Sequence, residues 1–437
     1  MSLIVIIRNI LMFPLGVFLD RYGTSRTRLI SMCLIALGSL TMLFSSNVHP
    51  WLIFPALLMI GVSGMIVLIT DLQVANLFGA RRLTVMSILV GSSQSGGLVI
   101  LFMKLTRETD VTLQTSFMFI SIGFVPVLIS TIAMLPRSRI PWPLPANYGK
   151  SKGMESDPKA WRRRISVGAK RKGDITDILP FIRTKLFLFM IIWLSLLSFK
   201  SLAFDLNIDV HLEKLGIVET EQYLSMFAMC MLLCLPLSFM IGILMDCHSN
   251  RVQQNHVQQM RNILNAICVN YIISLASSVT SLFPSFGLQT IAYILVAAEK
   301  VTLYATLFAF LTHVHFPAEH FGKLTGVAIS VSGVVLVFQY PLRILVNSGL
   351  STNMFYTKII LLVLILISGC HPVSVWYHIR TGQIHNQTEY NENDKAVNMV
   401  MIDKGDSEEQ ATNMNAVATS GAESDSAKPK CLQITDL

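Results

Sequence analysis

Charge is what this sequence most lacks. Of 437 residues, 14% are Asp, Glu, Lys or Arg and 52% are hydrophobic, where a soluble chain carries about 25% charged residues. That shortfall excludes an ordinary water-soluble protein and makes lipid the solvent. Cysteine is sparse too. The seven form no C-x-x-C pair and none falls in a loop expected outside, so no disulfide framework is expected. No G-x-x-x-x-G-K-S/T loop is present, which leaves ATP hydrolysis unsupported. No Ser-His-Asp or Cys-His set lies where a membrane topology would assemble it, so neither an enzyme nor a cofactor is expected. No feature marks a sodium site. His313, His315, Glu319 and His320 imitate a metal cluster, but residues i and i+2 point apart on a helix, and no metal is expected there.

Long apolar runs fill the space that charge leaves. At roughly 17 to 25 residues per crossing, about eleven spans are expected, near 3–19, 29–45, 51–71, 84–104 and 115–135, then 186–206, 222–245, 262–281, 286–312, 323–344 and 355–377. The net charge of +8 sits in loops and in one linker, the positive-inside pattern of a multi-spanning chain, so the partner is the bilayer and not nucleic acid. Loops alternate accordingly: Arg81-Arg82, Arg251 with Arg261, and Lys323 face inward, while Asp205, Asp209, Glu213, Glu219 and Glu221 make an outward connection acidic. The division expected is an amino-terminal helical bundle over 1–136, a basic cytoplasmic linker over 137–185, a carboxyl-terminal bundle over 186–378 and a polar, disordered cytoplasmic tail over 379–437. An odd number of spans puts the amino terminus outside and the carboxyl terminus inside. The class is an all-α membrane protein.

One stretch organises the rest. Gly16-Val-Phe-Leu-Asp20-Arg21-Tyr-Gly23-Thr-Ser-Arg26 joins the first two apolar runs. Gly16 lets a neighbouring helix approach, Gly23 supplies the turn, and Arg21 and Arg26 assign that end to the cytoplasm. Gly242-Ile-Leu-Met-Asp246 repeats Gly-x-x-x-Asp in the second half. Phe78-Gly79 with Arg81 and Thr84 is echoed by Phe321-Gly322 with Lys323 and Thr325. This order is that of parallel halves related by an axis along the membrane normal.

The Asp20 stretch resembles the loop signature G-x-x-x-D-R-x-G-x-x-R/K of the major facilitator superfamily. Longer strings narrow the resemblance. Leu68-Ile69-Thr70-Asp71-Leu72-Gln73 with Asn76-Leu77-Phe78-Gly79, the run Phe316-Pro317-Ala318-Glu319-His320-Phe321-Gly322-Lys323-Leu324, and Leu135-Pro136-Arg137 with Ile140-Pro141-Trp142-Pro143-Leu144-Pro145 and Asn147-Tyr148 are similar to solute carrier family 43. The last two strings are closer to its nucleobase-carrying branch than to its amino-acid-carrying branch. The resemblance covers residues 9–378 and leaves the family's first helix without a counterpart, so an amino-terminally truncated form is expected. It implies a two-bundle fold and facilitated, sodium-independent uniport across the plasma membrane by alternating access. Its implied substrates are purine nucleobases such as adenine, guanine and hypoxanthine. The alternatives are large neutral amino acids, or a non-transporting short form that modulates a full-length partner.

Candidate residues follow from polarity at mid-membrane. Ser92, Ser93 and Gln94 lie midway along 84–104; the serines suit either helix packing or a substrate, and Gln94 has both donor and acceptor for a base edge. Glu299 and Lys300 are adjacent charges deep in 286–312, suited to ion pairs with other helices or to substrate contact. Lys200 is similar, or reaches outward along its stem. Gln339 before Pro341 reads as a polar hinge. Arg8 in the first span is either a substrate contact or the mark of a shortened start. Gly16, Asp20, Arg21, Gly23, Arg26, Gly242, Asp246, Glu319 and Lys323 form the gating set. The two aspartates are latches that cap a helix amino terminus or pair with arginine. Ser166 after Arg163-Arg164 suits a basophilic kinase, or the segment is simply a polybasic strip on the inner leaflet.

Overall fold

The computed structural model describes residues 2–45, 49–96, 112–133, 175–214, 220–247, 256–283, 286–312, 316–347 and 355–382, with Val99, Leu101, Phe102, Thr106, Leu135, Ile140 and Trp142 between them. Ser166, His313, His315 and most of the linker and tail lie outside the described residues. Met1–Thr381 makes one compact unit, and the second unit, Gly382–Leu437, is described only at Gly382.

Among the described residues all regular structure is helical. Nine stretches are long and apolar enough to cross a membrane. We label the helices α1 (Ser2–Tyr22), α2 (Thr24–Leu43), α3 (Ile53–Val74), α4 (Arg82–Gln94), α5 (Leu113–Ile122), α6 (Val125–Ala133), α7 (Lys185–Lys214), α8 (Gln222–Met245), α9 (His256–Thr280), α10 (Phe286–Leu311), α11 (Ala318–Ile344) and α12 (Thr357–Arg380). The longest stretch, Pro50–Gln94, turns at Gly79, whose φ of 51° suits a residue without Cβ, and so holds both α3 and α4.

The irregularities have one chemical cause. Regular helix breaks at Leu11, at Gly123-Phe124, at Leu233, over Leu336–Phe338 and at Gly369. Each break precedes a proline by two to five residues: Pro14, Pro126, Pro236, Pro341 and Pro372. Proline offers no N–H to the carbonyl four residues back, and its ring crowds that carbonyl, so the preceding turn loosens. The run expected as one span over 115–135 is therefore the pair α5 and α6. The span expected over 84–104 is interrupted as well, with Val99, Leu101 and Phe102 helical again beyond the break. Helix α4 ends at Gln94, where Ser95 leaves helical geometry before Gly96.

Burial follows the membrane reading. The outer surface carries Ile132, Ile344, Met240 and Ile272 at 71%, 68%, 67% and 64% exposure, a belt that water would penalise and lipid accepts. Inside, α2 packs on α3 and α9 on α10, while α1 meets α11 and α4 meets α8. The last two contacts join the first part of the chain to the second. Ile6, Phe199, Ala203, Leu336 and Leu342 form an apolar cluster where α1, α7 and α11 converge.

Candidate functional site

Both seams between the two parts close at one end through an aspartate. Asp20, in the last turn of α1, accepts the backbone N–H of Gly322 (3.0 Å) on Oδ1 and of Lys323 (2.8 Å) on Oδ2. These are first-turn donors of the α-helical part of α11, Phe321–Val335, which no carbonyl within that part can satisfy, and the positive end of the helix dipole favours a carboxylate there. Asp246, just past α8, does the same for α4: its Oδ2 accepts the Thr84 N–H and the Thr84 hydroxyl, each at 2.7 Å. Burial raises the Asp246 carboxyl above its usual range, opposed by the Thr84 bonds and the nearby Arg82 charge.

Glycines make these approaches possible. A Cβ on Gly16 would collide with the Gly322 carbonyl, one on Gly326 would stand 2.7 Å from the Met12 carbonyl oxygen, and one on Gly242 would stand 2.6 Å from Thr84 Cα. Ser330 completes the α1–α11 seam by donating to the carbonyls of Asn9 (3.0 Å) and Ile10 (2.9 Å) while accepting the Phe13 N–H (3.0 Å). The two Phe-Gly pairs are not equivalents, which corrects the repeat register. Gly322 is itself capped, whereas the capped residue of α4 is Thr84, because the carboxylate seeks free first-turn donors and not the Phe-Gly dipeptide. Gly23 (φ 84°) makes the turn after α1, and Arg21 and Arg26 are exposed beside it. Arg21 lies over the Tyr22 ring. Lys323 is fully buried and Glu319 sits in the short 3-10 turn, Ala318–His320, that opens α11.

The adjacent charges of α10 go to different neighbours. Glu299 accepts from Lys200 of α7 and from Ser274 and Ser277 of α9, the two serines at 2.9 Å, and Lys200 also bonds Ser277. This buried network clamps α7, α9 and α10 together, so Lys200 does not reach outward. Lys300 points elsewhere. It holds both oxygens of Asp205 at 2.7 Å beneath the Phe227 ring. Asp205, expected at a solvated helix end, is thus drawn into an ion pair. Gln339 is buried and donates to the Phe199 carbonyl (2.6 Å), which straps α11 to α7. Ser92 and Ser93 are exposed and donate to their own helix, at the Leu89 and Val90 carbonyls (both 2.8 Å). Gln94 is half-buried at the helix end. A small open cleft with room of about 60 Å³ lies between α7, α9 and α12 and is lined by Lys200, Phe204, Asn207, Ser278, Thr357 and Lys358.

Two arrangements escaped the sequence reading, and the setting of a third residue that it had singled out, Arg8, was not foreseen. Arg28, two residues past Arg26, is buried and paired with Asp71 at 2.5 Å, next to a Thr24–Gln73 hydrogen bond. Arg82 is 3% exposed while its neighbour Arg81 is free to face solvent. The Arg82 guanidinium stacks 4.5 Å from the Trp142 ring, donates to Asn76 Oδ1 (2.8 Å) and reaches the Thr312 carbonyl (3.4 Å) at the end of α10. Asn76 in turn donates to the Ile140 carbonyl (3.1 Å). Arg8, finally, lies with its stem over Gly61 of α3, and Tyr304 of α10 is within electrostatic range of its guanidinium. Only the last had a signal, the isolated charge in an apolar run.

The comparisons with known proteins agree with this geometry. The model of the Major Facilitator Superfamily matches residues 1–339. The chain is 30% identical over 400 residues to equilibrative nucleobase transporter 1 of Bos taurus, covering 84% of this chain and 81% of that protein. It is 24% identical to the large neutral amino acids transporter small subunit 3 of Homo sapiens, covering 84% and 79%. Among solved structures it is similar to the E. coli fucose:proton symporter (TM-score 0.56, 11% identity, 85% of this chain and 90% of that one). It is also similar to a bacterial homologue of the iron transporter ferroportin in an outward-facing state (TM-score 0.51, 17% identity, 86% and 89%). With that family model spanning most of the sequence and its reciprocal helix caps joining the two parts, the chain belongs to the Major Facilitator Superfamily and is a multi-pass membrane transporter of small molecules, not an enzyme.

Proposed function

We propose that this chain is a passive, sodium-independent uniporter of purine nucleobases that works by alternating access. The bundles over 1–136 and 186–378 rock about a central site, joined by the 137–185 linker. The observation that carries the reading is the pair of reciprocal caps at Asp20 and Asp246. They seal one end of both seams while the polar groups lie deeper. At 1.5 Å per helical residue, Arg8 is about 18 Å from Asp20, Gln94 about 15 Å from Thr84, and Lys300 and Tyr304 about 18 and 12 Å from Thr312. A solute held at that depth is about halfway across a hydrocarbon core of roughly 30 Å. Lys300 and Tyr304 share one face of α10, at i and i+4.

The sealed end carries the exposed Arg21 and Arg26, which supports a cytoplasmic assignment, with the linker and carboxyl terminus on the same side and the plasma membrane as location. Gly16, Gly23, Gly242, Glu319 and Lys323 build the gate, and Gln94 and Lys300 face the solute. Glu299, Lys200 and Gln339 shape the site by holding α7, α10 and α11 in place. The nucleobase is favoured over a large neutral amino acid because the 30% identical relative is named for nucleobase transport and the amino acid transporter is 24% identical. Uptake of labelled hypoxanthine, adenine and leucine into vesicles containing the full chain, with and without sodium, tests this. Saturable nucleobase uptake indifferent to sodium is expected; leucine uptake alone, or a sodium requirement, would overturn it.

A further inference from the structure

We infer that Arg8 is the specificity-determining residue of the central site, a donor fork that selects 6-oxopurines such as guanine and hypoxanthine over adenine. The inference rests on the nucleobase reading above. Arg8 sits at mid-depth on α1, half-buried, with its stem crossing Gly61, where a Cβ would stand only 3.4 Å from Arg8 Cδ. The missing side chain at Gly61 leaves room for the Arg8 stem against α3. Among the described residues it is paired with no carboxylate, and its hydrogen bonds are two long ones, both 3.4 Å, to the side chain of the adjacent Asn9.

Among the described residues, other buried cations are committed. Arg28 is held by Asp71, Lys200 by Glu299 and Lys300 by Asp205, and Arg82 is held by Asn76 and Trp142. A charged arginine at this depth is costly even by the mildest scale, so a group this weakly bonded suits a partner that comes and goes. Tyr304, on the Lys300 face of α10, is within electrostatic range of the guanidinium, which sets Arg8 against both parts of the chain where the solute would lie.

Guanidinium presents parallel N–H donors and no acceptor. A 6-oxopurine offers two acceptors side by side, O6 and N7, and an arginine fork matches them; adenine replaces O6 with an amino donor, which the cation repels. A glutamine reverses the preference, since its carbonyl accepts from N6 while its amide donates to N7.

Competition against labelled hypoxanthine uptake by the full chain reads this directly. Wild type is expected to favour guanine and hypoxanthine over adenine by about tenfold or more, and Arg8→Gln to reverse the ratio. Arg8→Lys keeps the charge but loses the fork, and is expected to abolish most of the discrimination. A hypoxanthine-to-adenine ratio unchanged in both variants would overturn the inference while leaving the transport reading intact. Should the variants fail to reach the membrane, wild type alone decides: 7-deazahypoxanthine, which lacks the N7 acceptor, is expected to compete about tenfold more weakly than hypoxanthine, and equal competition refutes the fork. Leucine uptake without nucleobase uptake would instead overturn the reading on which the inference stands.

Discussion

Asp20 and Asp246 each convert one carboxylate into a joint between two helices. Each cap comprises two hydrogen bonds to an ionised acceptor, worth about 1.5–3 kcal/mol apiece where the donors are otherwise unsatisfied. The bonds exist only while that end is shut. Asp20→Ala is therefore expected to leave the amount of protein at the surface unchanged and to lower uptake several-fold. Alkylation of a cysteine introduced at the seam should rise with it. Unchanged uptake kinetics would remove the latch from the mechanism. The Lys200–Glu299 pair makes a different prediction. Taking one partner from a buried pair strands the other charge, at about 3–5 kcal/mol. Glu299→Leu should lower the melting temperature in detergent sharply, while the double change with Lys200→Met recovers most of the loss. Additive losses in the double variant would mean that the two side chains do not act as a unit.

At the scale of helices, the seams depend on absent side chains. Gly242→Val would drive a branched side chain into Thr84 Cα and separate α8 from α4, whereas Gly64 of α3 has open space around it. Gly64→Ala should leave the melting temperature unchanged or raise it by the equivalent of roughly 0.5–1 kcal/mol of helix propensity, while Gly242→Val lowers it and broadens elution on size exclusion. This contrast also marks what the sequence could disclose. The Asp20 stretch was legible because its parts are local: a glycine one turn before an aspartate, a turn glycine, and arginines. The need of Glu299 and Lys300 for partners was legible from their depth. The partners were not, because Lys200 and Asp205 lie far away in sequence and the choice depends on how α7 rotates. The end of α4 was missed because a window of apolar residues hides the break that Ser95-Gly96 makes. Arg82 was misread for a simpler reason. Nothing in the pair Arg81-Arg82 says which of the two is covered, and the cover, Trp142, comes sixty positions later.

Across the whole molecule, the two caps act on one equilibrium from opposite seams. Removing either shifts the balance between shut and open by its own free energy, and removing both adds the shifts, since the sites share no partner. Asp20→Ala with Asp246→Ala is thus expected to favour opening at the capped end by roughly the product of the single effects. Distances between spin labels on α2 and α12 near that end would report it; a double variant no more open than either single one would show that one cap alone governs the end.

The Arg82–Trp142 stack carries a consequence for how the protein is assembled. Ile140 and Trp142 follow the last helix of the first bundle, yet they complete a bonded chain that runs through Asn76 and Arg82 to the Thr312 carbonyl of the second. A polypeptide severed after residue 135 and co-expressed as two fragments would put Trp142 and Arg82 on different pieces, whereas a cut after residue 150 would keep them on one. The second pair of fragments should therefore reconstitute the more stable particle, so the stretch that ends at Trp142 serves as mortar between the bundles.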